Sequence, residues 1–113
     1  MGMNAGQLNR RVQFQRATEI NDGFQTIKGT FVAHGNVTAA SRRDVSDAEK
    51  MSGGRLLSEV TARFRVRASA FTRQITAADR LLCDGKAFNI LGIKEGDERG
   101  IFLEITAVAA GVQ

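Results

Sequence analysis

A two-residue alternation of apolar and polar side chains along most of this sequence limits its fold more than any other feature. The alternation is clearest in residues 60–67, where apolar side chains take turns with polar ones: Val60, Ala62, Phe64 and Val66 with Thr61, Arg63, Arg65 and Arg67. Successive side chains of a β-strand point to opposite faces of the sheet, so this segment is predicted to be a half-buried strand. The same pattern in residues 11–16 predicts a second one, with Val12 and Phe14 facing the core.

Turn residues divide the remaining sequence into further strands. Asn21–Gly23 is predicted to be a turn, followed by a strand region over residues 24–40 with one face formed by Phe31, Ala33, Gly35, Val37 and Ala39. Gly29 and Gly35 interrupt that region and indicate bulges or bends. Asp84–Gly85 is a strong hairpin signal within residues 80–93, and a second hairpin has its loop at residues 95–100 and its last strand from Ile101 to about Val108. The connector over residues 70–78 is expected to hold one helical turn near Thr76.

Residues 41–57 break the alternation and are predicted to be a long inserted loop. Ser46 and Glu49 have the spacing of a capping box, so a short helix that ends at Gly53–Gly54 is one interpretation of this segment. The fold expected for residues 1–113 is a single all-β domain, a small antiparallel barrel of about six strands. Residues 109–113 are expected to form a flexible tail.

The composition excludes several classes of protein. One cysteine and one histidine among 113 residues exclude a disulfide framework and a cysteine-rich zinc site. The net charge of +4 is a mild basic bias rather than a nucleic-acid-binding tail. Residues 1–16 lack the apolar stretch of a signal peptide, and no run approaches the ~20 apolar residues that span a bilayer. A cytoplasmic protein with a reduced thiol, without a membrane partner, is therefore expected.

No set of residues in the sequence fits catalysis. Cys83 and His34 are the one thiol–imidazole pair that the composition allows, but no third group is placed to orient the base, and both lie in strand patterns. The carboxylates lie beside basic residues in loops, as solvated charges do, and their spacing fits neither a calcium loop nor a metal-binding helix. Gly53–Gly54 followed by Arg55 lacks the phosphate-loop pattern. We expect no catalytic, metal or cofactor site and no enzyme activity.

The arginine face formed by Arg63, Arg65 and Arg67 has two interpretations. It is either a solvated outer strand face whose charge limits aggregation, or a contact surface for an acidic subunit or a nucleic-acid backbone. The aromatic residues are seven phenylalanines, most of them on the predicted core face, which disfavours base stacking on single strands. A non-specific contact between the arginine face and duplex DNA is consistent with this composition.

The order of these features resembles the head–tail joining family of tailed phages, the head-completion or stopper proteins. The resemblance rests on the opening Ala5–Arg16, the Asp22–Gly23 turn, the segment Asn36–Ala39, the long loop after Ser41–Arg43, the alternation Phe64–Arg67, the element Asp84–Ile90, and the closing segments Asp97–Arg99 and Phe102–Ile105. The sequence departs from the family at Phe31, where tryptophan is usual, and at Phe88, where tyrosine is usual. Both changes keep an apolar ring.

The resemblance implies a homo-oligomeric ring in the neck of a phage or of a phage-derived gene transfer agent, assembled in the bacterial host cytoplasm. Such a ring would lie below portal and adaptor proteins, close the channel for packaged double-stranded DNA, and dock a tail tube or tail terminator protein. The residues that would face the channel are Arg42, Arg43, Asp44, Asp47, Glu49, Lys50 and Arg55, and the arginine face would contact a neighbouring subunit. The competing hypothesis is a small OB-like barrel that binds nucleic acid non-specifically as a soluble protein.

Overall fold

A computed structural model describes residues 8–21, 23, 26–45, 49–52, 55–58 and 61–110. Within these ranges the chain forms nine strands and one short turn of 3-10 helix at Thr72–Gln74. The strands are β1 Arg10–Asn21, β2 Thr26–Ala33, β3 Thr38–Asp44, β4 Glu49–Ser52, β5 Arg55–Ser58, β6 Thr61–Arg67, β7 Arg80–Cys83, β8 Lys86–Glu95 and β9 Phe102–Ala109. In this part of the chain, no helix has the length and apolar character needed to cross a bilayer.

Six of the strands close into an antiparallel barrel in the order β1-β3-β6-β9-β8-β7, and β7 pairs back to β1. The closure is visible at Val12 of β1, which is opposite Thr38 of β3 on one side and Cys83 of β7 on the other. The prediction of an all-β, six-stranded antiparallel barrel is therefore confirmed. Closure satisfies the backbone hydrogen bonds of these strands without leaving a sheet edge in the barrel wall.

One further strand, β2, extends the sheet outside the barrel. It pairs with the second half of β1, from Gln15 opposite Ala33 to Asn21 opposite Thr26, with a bulge between Ala17 and Glu19. The pairing of β1 with β7 ends at Gln15, so the remainder of β1 and β2 form a two-stranded ribbon. We call residues 16–21 and 26–33 the β1–β2 ribbon.

The predicted strand region over residues 24–40 is two strands, with a bend at residues 34–37. Gly35 has a φ of +74°, and a Cβ atom there would clash with the Phe71 ring. The single face predicted for Phe31, Ala33, Gly35, Val37 and Ala39 does not continue through the bend, since Val37 is exposed and Ala40 is the residue that enters the core. The bend breaks the continuous alternation that the prediction assumed, and a shift of one residue moves a strand's side chains to the opposite face.

The inward-facing positions fill the barrel. Val12 and Phe14 of β1 are fully buried, as are Ala62, Phe64 and Val66 of β6, which confirms the faces predicted for both strands; Val60 lies outside the described residues. The rings of Phe64 and Phe88 meet edge to face, with their centroids 5.2 Å apart. Burial of these apolar side chains is the main contribution to the stability of such a fold. The other members of the core are Ala40, Ile75, Leu81, Cys83, Ile90, Leu103, Ile105 and Ala107.

Both predicted late hairpins are present. Asp84 and Gly85 have φ values of 54° and 77°, as a two-residue type I′ turn requires, and they join β7 to β8. In the β8–β9 hairpin, the Asp97 carboxylate accepts hydrogen bonds from the backbone N–H groups of Ile101 and Phe102, at 2.9 and 3.2 Å. The helical turn expected near residue 76 lies slightly earlier, at Thr72–Gln74.

The segment predicted to be one long loop has a different organisation. Residues 41–44 belong to barrel strand β3 and pair with β6, while Glu49–Ser52 and Arg55–Ser58 pair with each other as a separate β4–β5 hairpin. The short-helix interpretation is therefore wrong for residues 49–52, and Ser46, Asp47 and Gly53–Gly54 lie outside the described residues. A helix of one or two turns gains few hydrogen bonds for the cost of its first turn, whereas a hairpin pairs both of its arms.

Candidate interaction site

Strand pairing places Arg43 beside the predicted arginine face. Arg43 of β3 is directly opposite Arg63 of β6, and Ser41 is opposite Arg65. Because the neighbouring residues of β6 fill the core, these side chains lie on the outer surface of the barrel. Lys94 of β8 reaches the same surface through Glu104 of β9. We call this surface the cationic face, formed by Arg43, Arg63, Arg65, Arg67 and Lys94.

Glu104 is an acidic residue in the middle of the cationic face. Its side chain is only 8% exposed, although it points away from the core. Its carboxylate oxygens lie 3.4 Å from Nη2 of Arg65 and 3.5 Å from Nζ of Lys94. A carboxylate that is largely removed from water needs such partners to remain charged. The face as a whole keeps an excess of positive charge, since one carboxylate faces five cations.

A cavity of about 110 Å³ opens on the cationic face. It is lined by Ser41, Arg43, Arg63, Phe64, Arg65 and Glu104. Arg63 is one of the lining residues, and its Nε atom is buried without a hydrogen-bond partner. Arg43 and Arg63 are like charges at directly opposed positions, an arrangement that disfavours the folded state unless an anion lies nearby. The cavity therefore combines positive charge with a hydrogen-bond donor that has nothing to bind.

Arg67 has a different environment from the other two arginines of the predicted face. Its guanidinium carbon lies 5.7 Å from the centroid of the Phe102 ring, which is buried on the outer side of β9. The contact is a cation–π arrangement in which the arginine also shields an aromatic ring from water. Of the three predicted residues, Arg63 and Arg65 line the cavity and Arg67 covers an aromatic side chain.

Arg42, one of the residues predicted to face a DNA channel, belongs to the barrel strand β3 and packs against Phe88. Its guanidinium lies 5.2 Å from the centroid of the Phe88 ring, and its Nε donates a 2.9 Å hydrogen bond to Asp44. Its Nη1 lies 3.4 Å from Asp84, and the side chain is only 16% exposed. Burial alone would lower the pKa of Arg42, but the hydrogen bond and charge of Asp44 raise it above the ordinary value. Arg42 therefore stabilises the barrel as a permanent cation.

The remaining residues of the predicted channel loop lie elsewhere. Glu49 and Lys50 are the first residues of β4, and Arg55 is the first residue of β5. Asp47 lies outside the described residues. The structure thus divides the predicted set between the barrel strand β3, which holds Arg42, Arg43 and Asp44, and the β4–β5 hairpin.

The structure does not bring Cys83 and His34 together as a catalytic pair. The Cys83 thiol is buried in β7 and lies 3.6 Å from a carboxylate oxygen of Asp84. Burial raises the pKa of this thiol, and the negative charge of Asp84 adds to the effect. A protonated thiol is a poor nucleophile. His34 instead packs against Phe71, with ring centroids 5.5 Å apart. In the part of the chain that the structure describes, no group of three His, Cys, Asp or Glu side chains could hold a metal ion.

An ion pair between Arg16 and Asp79 was missed by the sequence analysis. Asp79 has a side chain that is 3% exposed and accepts hydrogen bonds from Nε and Nη2 of Arg16, at 2.9 and 3.0 Å, and from the Thr76 N–H at 3.0 Å. Burial alone would raise the pKa of Asp79, but these hydrogen bonds and the charge of Arg16 together hold it below its ordinary value. The ion pair links β1 to the segment that precedes β7. No local pattern could indicate it, since the partners are 63 residues apart.

Comparisons with known proteins give one match to a family and one to a solved structure. A family model described as phage head completion protein matches residues 3–110. A chain from the virion of a native gene transfer agent particle has 23% sequence identity, with a TM-score of 0.73, over 92% of this chain and 96% of that chain. At this identity the structural likeness shows a shared fold. Among curated proteins, no sequence matches.

Proposed function

Since the chain belongs to the phage head completion protein family, we propose that it is the stopper subunit of the neck in a phage or phage-like particle. The family is one of structural virion proteins and not of enzymes, and the chain is accordingly a structural protein of the head–tail region. In the proposal, copies of the chain form a ring below the portal and adaptor proteins. The ring closes the DNA channel after packaging and gives a docking surface to a tail tube or tail terminator protein. The family match over residues 3–110 carries this proposal.

The shape of the subunit is compatible with a ring. A closed ring of identical subunits needs two different patches on each copy, one for each neighbour. The β1–β2 ribbon and the cationic face are two such patches on different strands. The barrel wall has no free sheet edge, whereas β2 pairs with β1 alone among the described strands. Both patches are candidates for contacts with neighbouring subunits.

The β4–β5 hairpin is the part that we propose to face the DNA channel. It joins β3 to β6 but pairs with neither. Its sequence carries charges of both signs, with Glu49, Lys50 and Arg55, and Asp47 precedes it. A wholly basic lining would bind the phosphate backbone and slow DNA exit, so mixed charge suits a surface that DNA must pass. Arg42 has no part in this proposal, since the barrel already engages it.

Electron microscopy of the protein mixed with purified portal complexes tests the proposal. We expect a ring of density at the narrow end of the portal complex, with the β4–β5 hairpins directed at its axis. A cysteine introduced as Lys50→Cys in a Cys83→Ser background and labelled with a thiol-reactive photo-cross-linker should cross-link to channel DNA when filled particles are irradiated. Arg99→Cys on the β8–β9 turn, labelled in the same way, serves as the control. Density for the hairpins on the outer surface of the ring would refute the channel role alone. Absence of any portal-bound ring would refute the stopper role.

The alternative of a soluble nucleic-acid-binding barrel is favoured by the cationic face. It is disfavoured by the aromatic residues, since every phenylalanine in the described ranges is buried or half-buried and none offers an open stacking surface. A titration of the free subunit with DNA at increasing salt separates the two functions. The stopper proposal predicts weak binding, whereas tight, steeply salt-dependent binding with a defined stoichiometry would favour the alternative.

A further inference from the structure

We propose that the cavity on the cationic face is a binding site for an acidic side chain, the glutamate or aspartate of a protein segment that docks on β3 and β6. This deepens the proposed function, because it states the chemistry of one subunit or partner contact. The residues of this site differ from those of the predicted arginine face. The site includes Arg43, which strand pairing places opposite Arg63. It excludes Arg67, because Arg67 covers Phe102.

The arginines of the cavity have hydrogen-bonding capacity that no partner in the structure uses. The buried Nε of Arg63 has no hydrogen-bond partner, and few buried donors in folded proteins stay in that condition. Arg43 and Arg63 also repel each other at directly opposed positions. A single carboxylate between them would accept charge-assisted hydrogen bonds and offset the repulsion at the same time.

Glu104 determines which cations of the face are available to a ligand. Its carboxylate engages Arg65 and Lys94, so these two cations are already neutralised in part and held in place. Within the described residues, neither Arg43 nor Arg63 has a carboxylate partner. Both are therefore available to bind an incoming anion. The neighbouring negative charge of Glu104 disfavours highly charged ligands. The site therefore suits one carboxylate rather than a cluster of phosphates.

The shape of the site favours a protein side chain over duplex DNA. A cavity of about 110 Å³ admits a group of the size of a carboxylate. The phosphates of a duplex lie along a wide, stiff backbone and are met by exposed lysine and arginine side chains. Arg63 and Arg65 are only half-exposed on the strand surface. A flexible acidic side chain reaches such a recess, and a duplex backbone does not.

The test uses the full chain and a fluorescent peptide with a central run of glutamates, with the matching glutamine peptide as the control ligand. Fluorescence anisotropy at low salt should show binding of the glutamate peptide alone. Arg63→Gln and Arg43→Gln should each weaken it about tenfold, the effect of losing one charge-assisted contact. Arg99→Gln removes the same charge from an exposed turn and should leave the affinity within about twofold.

Thermal unfolding is measured on the same variants to separate binding from folding. Each glutamine removes one member of a like-charge pair, so neither variant should unfold at a lower temperature than the wild type. Arg43 is exposed, which makes Arg43→Gln informative even where Arg63→Gln perturbs the strand.

Several outcomes would overturn the proposal. Peptide binding that is absent, or that falls equally with Arg99→Gln, would show that the cavity does not select a carboxylate. Tighter binding of a short duplex, with the same dependence on Arg43 and Arg63, would assign the site to phosphate. Self-association that Arg63→Gln abolishes and the peptide does not inhibit would show that the face binds a second copy without using a carboxylate in the cavity. None of these results depends on a portal-bound ring, so the site and the stopper proposal can fail separately.

Discussion

Replacing Asp79 with asparagine is expected to destabilise the protein more than any comparable change of a surface carboxylate. The asparagine has nearly the same shape but no charge, and it can offer only one acceptor oxygen. Oδ1 of Asp79 accepts from Nε of Arg16, and Oδ2 accepts from Nη2 of Arg16 and from the N–H of Thr76. Whichever way the amide is turned, its NH₂ group faces a donor.

The structure sets the size of the expected effect. A hydrogen bond to a charged group contributes about 1.5–3 kcal/mol, and a donor left facing another donor adds to the loss. Arg16 is 40% exposed, so solvent screens part of the charge interaction and the larger values known for buried pairs do not apply. We therefore expect a loss of about 2–3 kcal/mol in the free energy of unfolding. With an unfolding entropy of about 2.1 cal/mol/K per residue, this corresponds to a decrease in Tm of about 10 °C.

The assay is urea and thermal unfolding at pH 7, with Asp84→Asn as the matched control. Asp84 also pairs with arginine, through a 2.8 Å contact with Arg10, but both side chains are about half exposed. Asparagine accepts the positive φ of this turn position, so the control loses the charge interactions of an exposed carboxylate with Arg10 and, at 3.4 Å, with Arg42. Its expected cost is below about 1 kcal/mol.

Equal losses for the two variants would refute the reasoning, because burial and the number of accepted hydrogen bonds would then have no measurable influence. A loss below about 1 kcal/mol for Asp79→Asn would show that the Arg16–Asp79 pair contributes no more than a surface ion pair. A change in the slope of the unfolding free energy against urea concentration, with an unchanged midpoint concentration of urea, would instead indicate an effect on the unfolded state.

Three further predictions concern pH, backbone geometry and the thiol. Because the folded-state pKa of Asp79 is lowered, its stabilising contribution is present above about pH 4 and lost on further acidification, so wild type and Asp79→Asn should converge in acid unfolding experiments. Gly35→Ala should cost more than Gly85→Ala by calorimetry: both have positive φ, but only the first adds a clash with Phe71. The buried Cys83 thiol should react with a disulfide reagent far more slowly in the native protein than in denaturant.

Each of these three predictions would be contradicted by a specific result. A constant difference between wild type and Asp79→Asn down to low pH would mean that the carboxylate is not held below its ordinary pKa. Equal costs for the two glycine variants would mean that the ring beside Gly35 moves aside freely. Rapid modification of the native thiol at neutral pH would show that β7 opens readily, since burial would then give no protection.

Local signals in the sequence were sufficient for the elements and for the class of fold. The alternation in residues 60–67 marked the buried face of β6, and Asp84–Gly85 marked a type I′ turn, because both depend on the geometry of adjacent residues. These local signals were insufficient where two local structures, a short helix and a hairpin, compete for the same residues. Ser46 and Glu49 have the spacing of a capping box, yet residues 49–52 form a strand, since pairing with residues 55–58 supplies hydrogen bonds that a short helix lacks.

The amino-acid sequence by itself determined that this is a β-protein with an apolar core, tight late hairpins and no recognisable catalytic set. Only the tertiary structure decided which side chains meet. Arg42 and Arg43 are adjacent in the sequence, yet one covers Phe88 inside the barrel and the other lies opposite Arg63 on its surface. The physical reason is that cross-strand neighbours depend on the register between strands distant in the chain. A pattern of period two assigns a side chain to a face of its own strand, but only barrel closure assigns its neighbours.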